Sequence, residues 1–373
     1  MTTDQLYLLQ LLQKSIGKRT SETEMPQDLH YVELTVLRTG ILQTVYGVLP
    51  NSLQDRLRIK YNAATKQAIL QNYEGEQLLK ALSDAGFACI ALKGWEMRKL
   101  YPNMTMRQMA DLDVLVRPYR FSRIETVMRE LGYSSGSESS WKHDSFRKGE
   151  VHVEMHKRLT DDSSEIQKWE RDMWNRAVPV KENIYKMSPE DYYIFHFVHL
   201  HKDFMNGSLG LRRIVDTWLL QKQERDMEAV RRDLENFGLW TFHERMVALS
   251  RAAMGDEPID ENSEIMLAHA FKHGIYGTEV SYKTGRIAAM GKDLNSGKCK
   301  SAIAAVFLPY KRMKAQFPVL EKWPILLPWC WIRRIVHFLR GNTKKSREML
   351  DYSRIDEQDF EEMKRFFKAG GVR

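Results

Sequence analysis

The stretch that constrains this chain most runs from residue 90 to residue 118, Ile-Ala-Leu-Lys-Gly-Trp-Glu-Met-Arg-Lys-Leu-Tyr-Pro-Asn-Met-Thr-Met-Arg-Gln-Met-Ala-Asp-Leu-Asp-Val-Leu-Val-Arg-Pro. A short apolar run ends at Lys93-Gly94. A helix-compatible piece follows, Pro102 and Asn103 mark a loop, and a second apolar run carries two acids, Asp111 and Asp113. The pattern reads as strand, glycine turn, helix, loop, strand. Side chains alternate along a strand, so residues i and i+2 share a side. Both carboxylates therefore face one way, while Leu112 and Val114 face the core. Two acids held side by side repel unless a cation lies between them, and a pair of hard oxygen ligands suits Mg²⁺.

A third acid is expected beside them. Residues 151–156 alternate, with Val151, Val153 and Met155 on one side and His152, Glu154 and His156 on the other. A hairpin across Gly149 would pair this strand with one at about 141–146. If the Asp111–Asp113 strand is its other neighbour, three carboxylates converge. Such a set can hold two divalent cations about 4 Å apart, an arrangement suited to phosphoryl or nucleotidyl transfer. His152 and His156 share the Glu154 face and either line the site or are held by structural hydrogen bonds.

The rest of the chain reads as helix. Residues 1–85 show helical spacing, with segments near the start, at 28–48 and at 52–85. In the last of these, Ile59, Ala63, Ile69, Leu78 and Leu79 mark the expected buried stripe. Ser188-Pro189-Glu190-Asp191 is a helix start: a cap residue, then Pro, then acids in the first turn. Helices are expected from there to the end. Breaks are expected at Asn206-Gly207, at Gly274 and Gly277, and at a turn over Ser296-Gly297-Lys298. Residues 343–373 read as a charged surface helix. The fold class is therefore α+β, a small mixed β-sheet core at 86–180 between an N-terminal helical region at 1–85 and a mostly α-helical C-terminal domain at 181–373.

Composition narrows the chemistry. The formal net charge is +8 over 373 residues, which suits an anionic ligand without demanding nucleic acid. The three cysteines, Cys89, Cys299 and Cys330, form no CxxC pair, so neither a zinc cluster nor a disulfide framework is indicated and a cytoplasmic location is expected. No apolar run is long enough for a spanning helix. Residues 324–340 mix Trp323, Trp331, Ile332, Ile335 and Phe338 with Arg333, Arg334 and His337. They either pack on the helical domain or lie on a membrane surface. His196, His199, His201 and Asp203 form a histidine-rich cluster. In a helix His199 shares a face with His196 and with Asp203, while His201 points elsewhere. Arg212 and Arg213 could reach phosphates from the helical domain.

The order Leu92-Lys93-Gly94, Leu100-Tyr101-Pro102, Met106 to Val116, and later Glu154-Met155-His156 resembles the nucleotidyltransferase-like superfamily that includes DNA polymerase β. It is most similar to its bacterial branch of uncharacterised nucleotidyltransferases. The stretches around His201-Lys202 and residues 211–216, around 271–277, and from 326 to 334 look like the helical part of the same branch. The resemblance implies a Mg²⁺-dependent nucleotidyltransferase with two ions, replaceable by Mn²⁺. Its substrate would be an NTP, ATP before others, and its acceptor a small molecule, sugar, protein or RNA. Asp111, Asp113 and Glu154 would hold metal and carry catalysis. Lys93, Gly94, Arg107, His156 and Lys202 would bind nucleotide, with backbone N–H groups near Gly94 on a phosphate. The sequence departs from the superfamily at Trp95, where a small residue is usual. A bulky ring there would crowd the phosphates, which motivates a second reading, a nucleotide-binding or scaffold protein without turnover. A third, an RNA-modifying transferase, leans on the +8 charge.

Overall fold

The computed structural model describes residues 1–17, 25–136, 142–160, 164–275, 277–291, 293–308, 310, 313, 317, 319–340, 352 and 355–372. Its centre is a sheet built from the alternating stretches. Strand β1 (Ala88–Ala91) lies antiparallel to β2 (Leu112–Arg117), and β5 (Val151–His156) runs parallel to β2. β4 (His143–Lys148) folds back on β5 through a turn at Gly149, where φ is 55°, in the region that favours glycine. β3 (Ser134–Ser135) extends that edge. On the other edge β7 (Ile184–Lys186) pairs parallel to β1, and β6 (Val178–Lys181) pairs with β7. The order is β3-β4-β5-β2-β1-β7-β6. The β6–β7 hairpin carries the sheet past the boundary expected at residue 180. Trp141, expected to open a strand, lies outside the described residues.

Each sheet face has its own packing. Leu112, Val114, Val116, Val151, Val153 and Met155 point into one core with helices α4 (Asn51–Asp84) and α6 (Phe121–Glu130). Ile90, Leu92 and Leu115 join a larger core on the other side. That core also takes α1 (Thr3–Ser15), α2 (Leu29–Arg38) and α3 (Leu42–Val45), together with α8 (Pro189–Met205), α9 (Leu211–Gln221), α10 (Met227–Asn236), α11 (Trp240–Met254) and α12 (Glu261–His273). The N-terminal helices thus pack on the C-terminal ones.

Helix α4 corrects the expected stripe. Ile59 and Ile69 are exposed, and Ala63 is exposed as well. The buried line runs through Leu57, Ala68, Gln71, Gly75, Leu78 and Leu82. Small and polar residues belong there because the partners are bulky. The helix α5 (Lys93–Arg98) presses Trp95 and Arg98 against it. A Cβ on Gly75 would lie 2.5 Å from Trp95 Cη2, and Trp95 Nε1 donates to Asn72 Oδ1 at 3.2 Å. Trp95 is therefore a core residue under α4.

Helix α8 starts where expected, with the Ser188 hydroxyl accepting from the Asp191 N–H at 3.1 Å. The chain breaks at Gly207, where φ is 70°, also as expected. Three segments follow: α13 (Glu279–Met290), α14 (Leu294–Val306) and, near the end, α15 (Val319–Lys322). The turn expected at Ser296-Gly297-Lys298 is instead the first part of α14. Gly297 is there for close packing, since its Cβ would meet the Ile287 carbonyl of α13 at 2.6 Å. Helix α16 (Leu327–Arg340) precedes α17 (Glu357–Ala369). α17 keeps Glu357, Glu361, Arg365 and Lys368 exposed, as expected, but its other face is core: Phe360, Met363, Phe366 and Phe367 are buried, and Phe366 stacks on Phe204 at 4.0 Å. Residues 343–351, 353–354 and 373 of the stretch expected to be a charged helix lie outside the described residues.

One buried ion pair ties the loop before β2 to the helices. Asp216 of α9 is fully buried. It accepts from Arg107 Nε at 2.8 Å, Arg107 Nη2 at 2.7 Å and the Tyr101 hydroxyl at 2.9 Å. Asp216→Asn strands the Arg107 charge in the interior and should cost about 3–5 kcal/mol of unfolding free energy. Asp84→Asn, in the exposed pair with Lys80, should cost less than about 1 kcal/mol. Denaturant midpoints of the two variants check the contrast.

Candidate active site

Strand register brings the acids together. Asp113 of β2 is the direct partner of Glu154 on β5, and Asp111 immediately precedes Leu112, where β2 begins. One carboxylate oxygen from each of Asp111, Asp113 and Glu154 lies within 4.8 Å of the others. The alternation that buries Val153 and Met155 against α4 turns Glu154 and His156 to the opposite face, where Asp113 points. A second group, His143, Glu154 and His156, meets the same distance limit. Sequence reasoning missed His143. Its signal was countable: the hairpin at Gly149 pairs Lys148 with Val151, and stepping away from the turn one residue at a time on each strand sets His143 opposite His156.

Charge is unevenly shared among these groups. Asp113 Oδ1 receives the Lys93 ammonium at 2.6 Å and His156 Nε2 at 2.7 Å. Burial alone would raise the Asp113 carboxyl, but Lys93 and His156 hold it far below the usual carboxylate range. Burial alone would lower His156, yet its hydrogen bonds to Asp113 and Glu154 raise it. The second ring nitrogen, Nδ1, lies 3.3 Å from the Arg158 carbonyl, so both nitrogens face acceptors, as an imidazolium requires. Glu154 is also pushed up by burial and pulled down further by His156, and its carboxyl ends below its ordinary value. Asp111 goes the other way. Burial, then the like charge of Asp113, push it up to about 7.

Asp111 and Asp113 line a cleft of about 340 Å³ between the sheet and the helices, and Glu154 and His156 do not line it. Lys93, Gly94, Asp111 and Asp113 form one wall, and His199, Asp203, Arg212 and Arg213 form the other. Lys93 takes a left-handed φ of 43°, unusual for a residue with a side chain, and its carbonyl accepts from the Tyr192 hydroxyl at 2.9 Å. This conformation aims the ammonium back at Asp113. Gly94 is required by crowding, since a Cβ there would be 2.5 Å from Arg107 Nη1.

Other expected residues fall differently. Arg107 reaches the cleft wall, but its guanidinium fork is engaged by Asp216, because burial selects the partner that neutralises it. Lys202 is exposed on α8 and does not line the cleft, because it stands about 100° around the helix from Asp203. Trp95 does not line it either. The histidine cluster divides: His199 lies 3.9 Å from Asp203 in the cleft, His196 contacts Thr217 Oγ1 at 2.9 Å in the interior, and His201 packs on Phe242. Burial lowers His199 to about 3, so it is a neutral imidazole. Among the described residues that cluster forms no metal-holding group.

The three carboxylates fit a hard divalent cation. All donors are oxygens and they converge, and after burial the like charge of Asp113 adds to the rise of Asp111. The same shift predicts a pH effect in the metal-free protein. The folded state holds a proton on Asp111 up to about pH 7, whereas the unfolded chain releases it near 3.8. Stability therefore falls as pH rises through that window. Asp111→Asn should be more stable than the parent above pH 7, by about 1–2 kcal/mol, and the gain should vanish below pH 4. Thermal unfolding with a chelator at both ends of the window measures it.

No curated protein and no solved structure matches the chain. A family model does, over residues 28–255, under the description uncharacterised nucleotidyltransferase. The matched span contains every strand of the sheet, the three carboxylates and the helices α8 and α9 that face them. By this match over more than half of its length, the chain belongs to the family of uncharacterised nucleotidyltransferases.

Proposed function

We propose that the protein moves a nucleoside monophosphate from an NTP, ATP first, to an acceptor hydroxyl, with Mg²⁺ held by Asp111, Asp113 and Glu154. The observation that carries this reading is the convergence of those three carboxylates, two of which, Asp111 and Asp113, line a cleft whose walls also bear Lys93, Arg212 and Arg213. Acids gather the metal and bases face the phosphates. This also accords with the resemblance to polymerase β-like enzymes.

In the reaction, an O–P bond forms between the acceptor oxygen and the α-phosphorus, the α–β phosphoanhydride breaks, and pyrophosphate leaves. One or two divalent ions bound here, Mg²⁺ or Mn²⁺, would neutralise triphosphate charge and acidify the acceptor hydroxyl. Glu154 is ionised and stands at the open edge of the group, where it can accept the hydroxyl proton. Lys93 restrains Asp113, and with a cation held by Asp113 its ammonium would be available to a phosphate oxygen. Arg212 and Arg213 face the phosphates from the opposite wall, and His156 keeps Asp113 oriented. Arg107 supports the wall through Asp216. Trp95, which the sequence pattern set against turnover, packs on Gly75 and leaves the cleft clear.

The test pairs binding with turnover. Calorimetric titration with Mn²⁺ should show binding to the parent and none to the double variant Asp111→Ala/Asp113→Ala. With labelled ATP and Mg²⁺ over a panel of hydroxyl acceptors, pyrophosphate release should fall by about a hundredfold or more in that variant. Unchanged metal affinity in the variant would remove the site assignment. Nucleotide binding without pyrophosphate from any NTP would leave a binding protein instead of an enzyme.

A further inference from the structure

The region around α16 reverses the ordinary pattern of a globular helix, in which the apolar side faces inward. Its inner side is already satisfied: Cys330 is buried with Met313 and Leu320, and Trp331 Nε1 donates to the Leu308 carbonyl at 2.9 Å. The outward side carries Trp329, Ile332 and Val336, spaced at i, i+3 and i+7, all exposed. Just before the helix, Trp323 and Ile325 are exposed as well, Ile325 to 83% and Trp323 to 60%. Among the described residues nothing covers this stripe.

The charge is concentrated in the same stretch of sequence. Residues 310–348 contain ten Lys and Arg against two Glu, a net +8, which equals the formal net charge of the whole chain. The other residues balance to zero. Within the described part, Arg333 stands in the outward stripe with its guanidinium 5.5 Å from the centre of the Trp329 ring, and Lys322 is exposed at the N-terminal end. Exposed tryptophans, aliphatic side chains and bases on one face form the surface of a helix that lies in a lipid–water interface. The apolar side enters the acyl boundary, the indole rings lie at headgroup depth, and the bases meet anionic headgroups.

We propose that residues 322–336 dock the protein flat on an anionic membrane surface. The aliphatic residues Ile325, Ile332 and Val336 favour lipid over nucleic acid, since they offer nothing to phosphates or base edges. No helix among the described residues is long and apolar enough to cross a membrane, so the contact is peripheral. Helix α13, whose Tyr282 lines the cleft, packs on α14, and α14 packs on α16. Docking would therefore hold the cleft two helices from the lipid. The inference does not rest on the reading of the acidic site.

The experiment uses the full chain with vesicles of phosphatidylcholine alone or with about 30 mol % phosphatidylglycerol. The parent should sediment with the anionic vesicles, show blue-shifted tryptophan emission there, and release as salt rises. Ile325→Glu/Ile332→Glu should lower partitioning by about tenfold or more at unchanged melting temperature, because both side chains face solvent. Lys322→Gln/Arg333→Gln should weaken binding to anionic vesicles only and flatten its salt dependence. Four results would overturn the proposal: no partitioning of the parent, equal partitioning of the Glu variant, binding to RNA in place of vesicles, or a parent dimer that the Glu variant converts to monomer, which would make a second copy the occupant.

Discussion

Everything at the cleft depends on the Arg107–Asp216 pair. The loop between α5 and β2 must leave the sheet, touch the helical half and return in register with β5. A loop of this kind is fixed only if its polar groups are satisfied on the way. Arg107 supplies the fixed point, with two parallel hydrogen bonds to Asp216. Its own carbonyl accepts from Arg98 Nε at 2.9 Å, and Arg98 Nη2 donates to Gln71 of α4 at 2.8 Å. A line of buried polar contacts thus runs from α4 through the loop to α9. Met109 and Asp111 are positioned by the same loop. The line also charges the wall. Burial, then Arg107 and Arg212, lower Arg98 to about 10, a sign of guanidinium groups crowded around Asp216. A cleft backed by that excess positive charge is suited to a polyanion.

Much of this was legible in the sequence wherever one short rule decides the outcome. The alternation in residues 151–156 fixed both the strand and which side Glu154 takes. The i, i+2 rule fixed Asp111 and Asp113. Ser188-Pro189 fixed the start of α8, and the family resemblance reached the same acids by another route. The unread parts need knowledge of a partner across space. Gln71 and Gly75 look like poor core residues until Trp95 and Arg98 are known to lie against them. Gly297 looks like a turn until α13 is known to pass within contact distance. Arg107 looks like a phosphate ligand until Asp216, distant in sequence, is seen to claim it. The β6–β7 hairpin was missed because its residues are exposed or half-buried, so no apolar alternation marks it.

The acidic site itself is a balance that is nearly, but not fully, closed. Two cations, Lys93 and the imidazolium of His156, meet three carboxylates, and both choose the same oxygen of Asp113. Both cations can converge there because Lys93 adopts a left-handed backbone and His156 is the next outward residue after Glu154 on β5. Burial pushes both carboxyls up, but only Asp113 receives both cations, which is why two acids one residue apart move in opposite directions. Asp111, which lines the cleft, keeps its proton up to about pH 7. A divalent ion entering there would find one carboxylate ready to ionise, one already ionised at the edge in Glu154, and one that yields only if Lys93 lets go. Metal loading and the freeing of a base for phosphate would then be one event, because a single aspartate oxygen cannot satisfy both cations and a metal at full strength.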